Sequence, residues 1–205
     1  MNIKTVQTDL LNKLNFTLGD ISKLAQFHDE LLSFNKKYNL ISKSTEEHIW
    51  ERHILDSAQI VKYMGFEDGK SVSDLGSGAG FPGIVLAIFN KNTKFHVKLY
   101  EKSNIKSNFL KDIINKLNLR CDVYGRYQEE IIESEYLVSR AFKQLSEILR
   151  ISREVIRVNH KLIILKGKNA ENEINKLQKP LEFMYKLEES ITNSNSRILI
   201  VDVKK

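Results

Sequence analysis

The sequence predicts an α/β fold: a Rossmann-like, seven-stranded sheet whose last strand is antiparallel, preceded by an N-terminal helical extension. From residue 70 onward, short runs rich in branched residues alternate with helical stretches of roughly ten residues, the pattern of a parallel sheet joined by crossover helices. Residues 1–65 lack such runs and place apolar side chains at three- and four-residue intervals instead. The last two strands have no helix between them, so they pair as a hairpin and the final one runs against the others. A chain of 205 residues, 41% hydrophobic, accommodates one ordinary domain plus such an extension, with the division at 1–65 and 66–205.

In the extension, Ile21, Leu24, Ala25, His28, Leu31, Leu32 and Phe34 form one stripe behind Asp20 as N-cap. A second helical segment starts near Ser44, where Ser44, Thr45, Glu46 and Glu47 supply a cap and first-turn acids, and continues through Ile49, His53, Ile54 and Ile60. No proline precedes Pro82, so nothing breaks these helices sharply. Strands are expected at 71–75, 95–100, 121–124, 136–139, 161–165, 181–188 and 197–203. Helices are expected at 82–90, 103–118, 126–132, 142–157 and 169–178, with Pro180 closing the last.

A single thiol, Cys121, excludes an intramolecular disulfide and any multi-cysteine zinc or iron–sulfur site, and points to a reducing, cytoplasmic setting. Asp9, Asp20, Asp29 and Glu30 interrupt the first thirty residues, and the longest apolar runs elsewhere are strand-sized, so neither a secretion signal nor a membrane span is expected. His48 and His53 are five apart and lie on different helix faces, and no metal site is expected. The net charge of +6 is local: residues 1–70 carry −1, residues 71–168 carry +7 and residues 169–205 carry 0. Within 140–168, eight cations stand against Glu147 and Glu154, which makes this stretch a candidate footprint for a polyanion. A general lysine bias, 24 of the 32 basic residues being Lys, is the bland alternative.

Asp74-Leu75-Gly76-Ser77-Gly78-Ala79-Gly80-Phe81-Pro82-Gly83 follows the first strand and opens a helix. Glycines at such a turn let the backbone approach a ligand and adopt positive φ. Gly78 to Gly83 also satisfies the dinucleotide pattern G-x-G-x-x-G, and Glu101 stands at a suitable distance for a ribose hydroxyl. Three features favour S-adenosyl-L-methionine. Asp74 is placed to receive an ammonium or a bridging water; Pro82 removes an N–H that would otherwise face a pyrophosphate; and the chain after the fifth strand is too short for a dehydrogenase substrate domain. Glu101 ends the second strand at the carboxyl edge and is read as a bidentate acceptor for two ribose hydroxyls.

Taken together, Asn39-Leu40-Ile41-Ser42, Arg52-His53-Ile54-Leu55-Asp56-Ser57, the loop from Asp74 to Gly83, Lys106 with Phe109-Leu110, Ser139-Arg140-Ala141 and Lys166-Gly167 resemble the bacterial small-subunit rRNA guanine-N7 methyltransferases of the RsmG or GidB type. The resemblance spans about residues 35–170. It implies a class I methyltransferase fold, S-adenosylmethionine as donor, and methylation of a guanine N7 in 16S rRNA, presented as naked rRNA or as the 30S ribosomal particle. By position it implies donor contacts from Gly76 and Phe81, beside Gly78 and Gly80 of the same glycine loop, an adenine contact at Tyr127 and Gln128, and an active-site or donor contact from Arg140. At 126–130 the chain departs from the family pattern of Arg, a small residue and Glu, so an adenine contact there falls to backbone groups or the Gln128 amide.

Read alone, Arg52 and Asp56 at i and i+4 are a helix-surface ion pair worth about 0.3–0.5 kcal/mol. The resemblance places Arg52, His53 and Asp56 over the glycine loop, as part of the catalytic pocket with Arg140. His53 as a satisfied core histidine and Lys166 as a solvated lysine are the bland alternatives. A methyltransferase for another nucleic acid, a protein or a small molecule, and a nucleotide-binding module without catalysis, are the other functional readings.

Overall fold

The computed structural model describes residues 1–177 and 185–205. The extension begins with α1 (Ile3–Leu14), capped by the Asn2 side chain, and α2 (Leu18–Tyr38). The cap of α2 is Thr17, three residues before the expected Asp20. Thr17 Oγ1 accepts from the Asp20 N–H at 3.2 Å while Asp20 Oδ2 accepts from the Thr17 N–H at 2.9 Å, so Asp20 closes a capping box from inside the helix. Both helices stop without proline, at Asn15 and Asn39, whose φ values of +59° and +48° are left-handed conformations that asparagine tolerates.

The segment expected as one helix from Ser44 is broken into α3 (Lys43–Glu46), a π-helical turn at Trp50–Leu55, α4 (Asp56–Ala58) and a 3-10 turn at Gln59–Tyr63. Asn35 braces its entry: its side chain accepts from the Ile41 N–H at 2.8 Å and donates to the Ile41 carbonyl at 3.1 Å. The wide turn carries Arg52, His53 and Asp56. Single π turns inserted into helices recur at functional sites because they re-aim side chains that a regular helix would send elsewhere.

The sheet comprises β1 (Ser71–Leu75), β2 (His96–Tyr100), β3 (Cys121–Tyr124), β4 (Tyr136–Arg140), β5 (His160–Lys166), β6 (Tyr185–Glu189) and β7 (Arg197–Val203), in the order β3-β2-β1-β4-β5-β7-β6. Strands β1 to β5 pair in parallel, and β7 is antiparallel to both β5 and β6, as the missing crossover predicts. Crossovers run through α5 (Gly83–Phe89), α6 (Asn104–Leu117) and α7 (Leu145–Val155), and α8 (Ala170–Asn175) follows β5. Positions 178 and 181–184, at the end of the fifth expected helix and the start of the sixth expected strand, lie outside the described residues, as does Pro180.

Two further expectations fail locally. The helix expected at 126–132 is a single 3-10 turn, Tyr127–Glu129, because Ile132 is drawn into a parallel bridge with Ile156 and the chain must extend to reach it. The helix expected from 142 starts at Leu145, because residues 141–144 form a turn in which Ala141 has a φ of +48°.

Alternation along the strands divides the core into two layers. On β4 and β5, Val138, Ile163 and Leu165 face α5, α6 and the extension, while Leu137, Leu162 and Ile164 face α7. Helix α5 is apolar all round because α2 covers its outer side: the Phe27 ring lies 5.2 Å from Phe81, at the loop that opens α5, and 6.4 Å from Phe109 of α6. The extension thereby seats its π turn beside the carboxyl ends of β1 and β4.

Candidate functional site

The loop after β1 is shaped by its own backbone. Gly76 and Ser77 donate to the Tyr100 carbonyl at 2.9 and 3.1 Å, and Gly80 donates to Ser77 at 2.8 Å. Gly76, Gly78 and Gly80 take φ values of +73°, +60° and +97°, which side chains on an L-residue oppose. A Cβ on Gly80 would stand 2.7 Å from Ile84, whereas one on Gly78 would meet nothing nearer than 3.7 Å, an ordinary contact, so Gly78 has room beside it.

Two carboxylates brace this loop. Glu101, 8% exposed, accepts from the Gly78 N–H at 3.0 Å through Oε2 and from the Ser103 N–H at 2.8 Å through Oε1, leaving a further lone pair on each oxygen. Asp74 is fully buried under the loop. Its Oδ2 accepts from the Gly83 N–H at 2.9 Å and its Oδ1 has no protein partner. Burial pushes the Asp74 carboxyl up to about 7, against the opposing pull of the Gly83 N–H, Ser77 and Arg140. The backbone cradle, the room beside Gly78 and the spare acceptor capacity of Glu101 fit a nucleoside-bearing donor. Tyr127 and Gln128 sit in the turn beyond β3, Gln128 exposed and the Tyr127 ring edge-on to Phe142 at 5.7 Å.

Arg140, at the end of β4, is the hub of the second half of the site. Its Nη1 donates to the Arg52 carbonyl at 3.0 Å, its Nη2 donates to His53 Nδ1 at 2.7 Å, Asp56 Oδ2 lies 3.6 Å from Nη1, and the guanidinium lies over the Phe81 ring at 5.1 Å. Asp56 thus turns to Arg140, and the ordinary i to i+4 pairing with Arg52 gives way because the π turn redirects both side chains. Since Nδ1 accepts, the His53 proton resides on Nε2, a buried atom with no protein partner. Burial, then Arg140 and Arg52, hold the His53 pKa down at about 3, so the ring is neutral at physiological pH. It stacks on Phe81 at 5.1 Å, and Phe81, 3% exposed, packs beneath the loop.

Beside this cluster opens a cleft of about 720 Å³ at the carboxyl ends of β4 and β5, whose walls include Arg52, His53, Asp56, Arg140, Lys166 and Arg197. Lys166 is tied down, donating to the Lys143 carbonyl at 2.7 Å and to Glu173 at 2.8 Å. The cleft therefore joins four of the sequence-derived site residues on one wall, while Asp74, Glu101 and the glycines form the adjoining cradle. Sequence reasoning missed Phe142, whose ring fills the space a Gly76 Cβ would take, and Thr192, which lines the cleft from the turn between β6 and β7. An aromatic next to Ser139-Arg140-Ala141 was a usable signal for the first; nothing local marks the second.

No helix among the described residues is long and apolar enough to cross a membrane, and no group of three or more potential metal ligands gathers among them. The chain resembles solved structures in fold: a SAM-dependent methyltransferase from Aquifex aeolicus superposes with a TM-score of 0.59 at 20% identity, covering 82% of this chain and 97% of the other. In sequence it is 37% identical over 203 residues to the ribosomal RNA small subunit methyltransferase G of Pelagibacter ubique, covering 96% of this chain and 95% of that protein. It is 34% identical to the protein of the same name from Orientia tsutsugamushi, covering 95% and 97%. A family described as GidB, rRNA small subunit methyltransferase G, matches residues 20–200, and with glycine cradle, Arg140 hub and basic cleft on one sheet edge, the chain belongs to that family.

Proposed function

We propose that this protein transfers a methyl group from S-adenosylmethionine to N7 of a guanine in 16S rRNA, acting in the cytoplasm on the rRNA or the 30S particle. The observation that carries this reading is the Arg140 hub, which joins the donor cradle, through Phe81, to the wall of a basic cleft large enough for a base.

When bound, the donor supplies an electrophilic methyl group on a sulfonium. Gly76, Gly78, Gly80 and Glu101 would hold it, Glu101 through its remaining lone pairs for the ribose hydroxyls, with Tyr127 and Gln128 for the adenine. Asp74, which reaches no surface, serves by holding Gly83 and with it the turn of the loop. Guanine N7 carries a free lone pair at neutral pH and needs no general base. The site suits this: His53, already accepting from Arg140 on Nδ1 and with its pKa held at about 3, is a poor proton acceptor. Arg140 is instead placed to orient an acceptor such as guanine O6, and the work left to the chain is alignment, an effect worth roughly 7–11 kcal/mol in favourable cases. Of the cations along the cleft, Arg52 and Lys168 match the phosphates flanking the base, whereas Arg197 is paired with Glu171 and Glu189.

The reading is tested by incubating the purified protein with methyl-labelled S-adenosylmethionine and 30S particles or free 16S rRNA, then mapping the label. Incorporation at one guanine N7 is expected. Label on another atom, or on another class of molecule only, would overturn it.

A further inference from the structure

Asp56 Oδ2 faces Arg140, and its other oxygen is held from a distant part of the chain. Asp56 Oδ1 accepts from Gln59 Nε2 at 2.9 Å, from Thr192 Oγ1 at 3.0 Å and from Ser190 Oγ at 3.2 Å. Gln59 is fully buried and fully used: its two Nε2 hydrogens are shared among Asp56 Oδ1, the Asp56 carbonyl and Ser190 Oγ, each at 2.9 Å, and its Oε1 accepts from the Ile191 N–H at 2.9 Å. Ser190 to Thr192 open the turn between β6 and β7, from 131 to 136 residues along the chain from their partners. Both latched segments line the cleft, Asp56 from the extension and Thr192 and Arg197 from the final hairpin.

A carboxylate that accepts three hydrogen bonds on one oxygen cannot rotate, so its second oxygen is fixed in direction. If the connection served only to tie the β6–β7 turn to the extension, apolar packing would do so without desolvating a carboxylate. The network instead ends on the carboxylate that faces Arg140. We infer that Gln59 and Thr192 are positioning residues for methyl transfer: they lock Asp56, and through it the orientation of Arg140 at the cleft. This inference rests on the function proposed above.

Thr192→Val removes the hydroxyl at constant shape, and Thr192→Ser retains it. With 30S particles, Thr192→Val is expected to lower kcat about tenfold while the KM for particles and the dissociation constant for S-adenosylhomocysteine change less than about twofold, and Thr192→Ser is expected to restore kcat. An unchanged kcat in Thr192→Val, a loss shared equally with donor binding or melting temperature, or no recovery with serine would overturn the inference. If the wild-type protein itself fails to methylate particles, the proposed function falls, and the latch is then read from the ¹⁵N shifts of the His53 ring, which report the Arg140 contact. Thr192→Val should move those shifts and Thr192→Ser should not; shifts unchanged by valine would remove the latch as well.

Discussion

Around the glycine loop, contacts connect neighbours: Gly80 to Ser77, Asp74 to Gly83, and Gly78 to Glu101 on the adjoining strand. Around the cleft, side chains connect elements far apart in the chain: Arg140 to Arg52 and His53 across 88 and 87 residues, and Asp56 to Thr192 across 136. The first region is a backbone device, and its identity resides in φ angles that only glycine supplies cheaply. The second is a side-chain device assembled by packing the extension and the final hairpin against the end of β4. Damage should therefore be local and conformational in the cradle, but spread through partners in the cleft.

The largest effect that distinguishes them is expected at Arg140. Arg140→Ala leaves Asp56 and the Arg52 carbonyl without their donor, and the methyl-transfer rate should fall by about 10²–10³ while donor affinity changes little, as read by single-turnover kinetics and calorimetry. Arg140→Lys should recover little, since one ammonium cannot reach the Arg52 carbonyl and His53 as the fork does. If Arg140→Ala weakened donor binding as much as turnover, the division between cradle and cleft would be wrong.

Within the cradle, Gly80→Ala combines a φ of +97° with a Cβ 2.7 Å from Ile84 and should cost about 2–4 kcal/mol of stability; Gly78→Ala, strained at +60° but with room beside it, should cost about 1 kcal/mol. Denaturant melts of the pair check the order, and donor affinity should still fall in Gly78→Ala because the new methyl occupies that room.

A third prediction sets the buried acid of the cradle against the histidine of the cleft. Asp74, raised to about 7, binds a proton in the fold that it loses when unfolded, so its contribution declines as pH rises from about 4 to 7. His53, lowered to about 3, refuses a proton that the unfolded chain takes up, so its contribution is lost as pH falls from about 6.5 toward 3. Each amounts to about 4–5 kcal/mol at full extent, and between pH 4 and 6.5 the two oppose one another. Asp74→Asn should remove the first slope and leave stability rising steeply with pH across that interval; a pH profile identical to wild type would contradict the assignment.

How much of each region can be read from sequence follows from the same distinction. Apart from the sixth, whose expected start lies outside the described residues, the strands were legible to within a residue or two, because β-branched runs and their crossovers are local patterns, and so was the glycine loop. Arg140, Arg52, His53 and Asp56 were recognisable as short motifs, but their mutual contacts were not, since spacing along the chain says nothing about which side chains meet. The π turn at Trp50–Leu55 escaped because one inserted residue barely disturbs a 3.6-residue periodicity. Thr17 as cap of α2 was hidden by Asp20, which is itself a good capping residue and takes the reciprocal half of the box. Gln59 and Thr192 carried no local signal, each being an ordinary polar residue until the fold brings them together.

The smallest effect concerns charge. Arg150 donates to both carboxylate oxygens of Glu154 at 2.8 Å, on a helix face away from the cleft walls, whereas Lys168 is exposed at the cleft. Lys168→Gln should therefore reduce the slope of log affinity for rRNA against log salt by about 1, and Arg150→Gln should leave it nearly unchanged. The reverse order would move the RNA contact from the cleft to the outer face of α7.

The central claim, that cradle and cleft meet at Arg140 to methylate a guanine N7, is tested most directly by mapping N7-methylguanine in 16S rRNA from cells lacking this protein, complemented with the wild-type chain or with Arg140→Ala. One modified position should disappear on deletion, return with the wild type and stay absent with the variant. A modification pattern unchanged by deletion, or fully restored by Arg140→Ala, would contradict it.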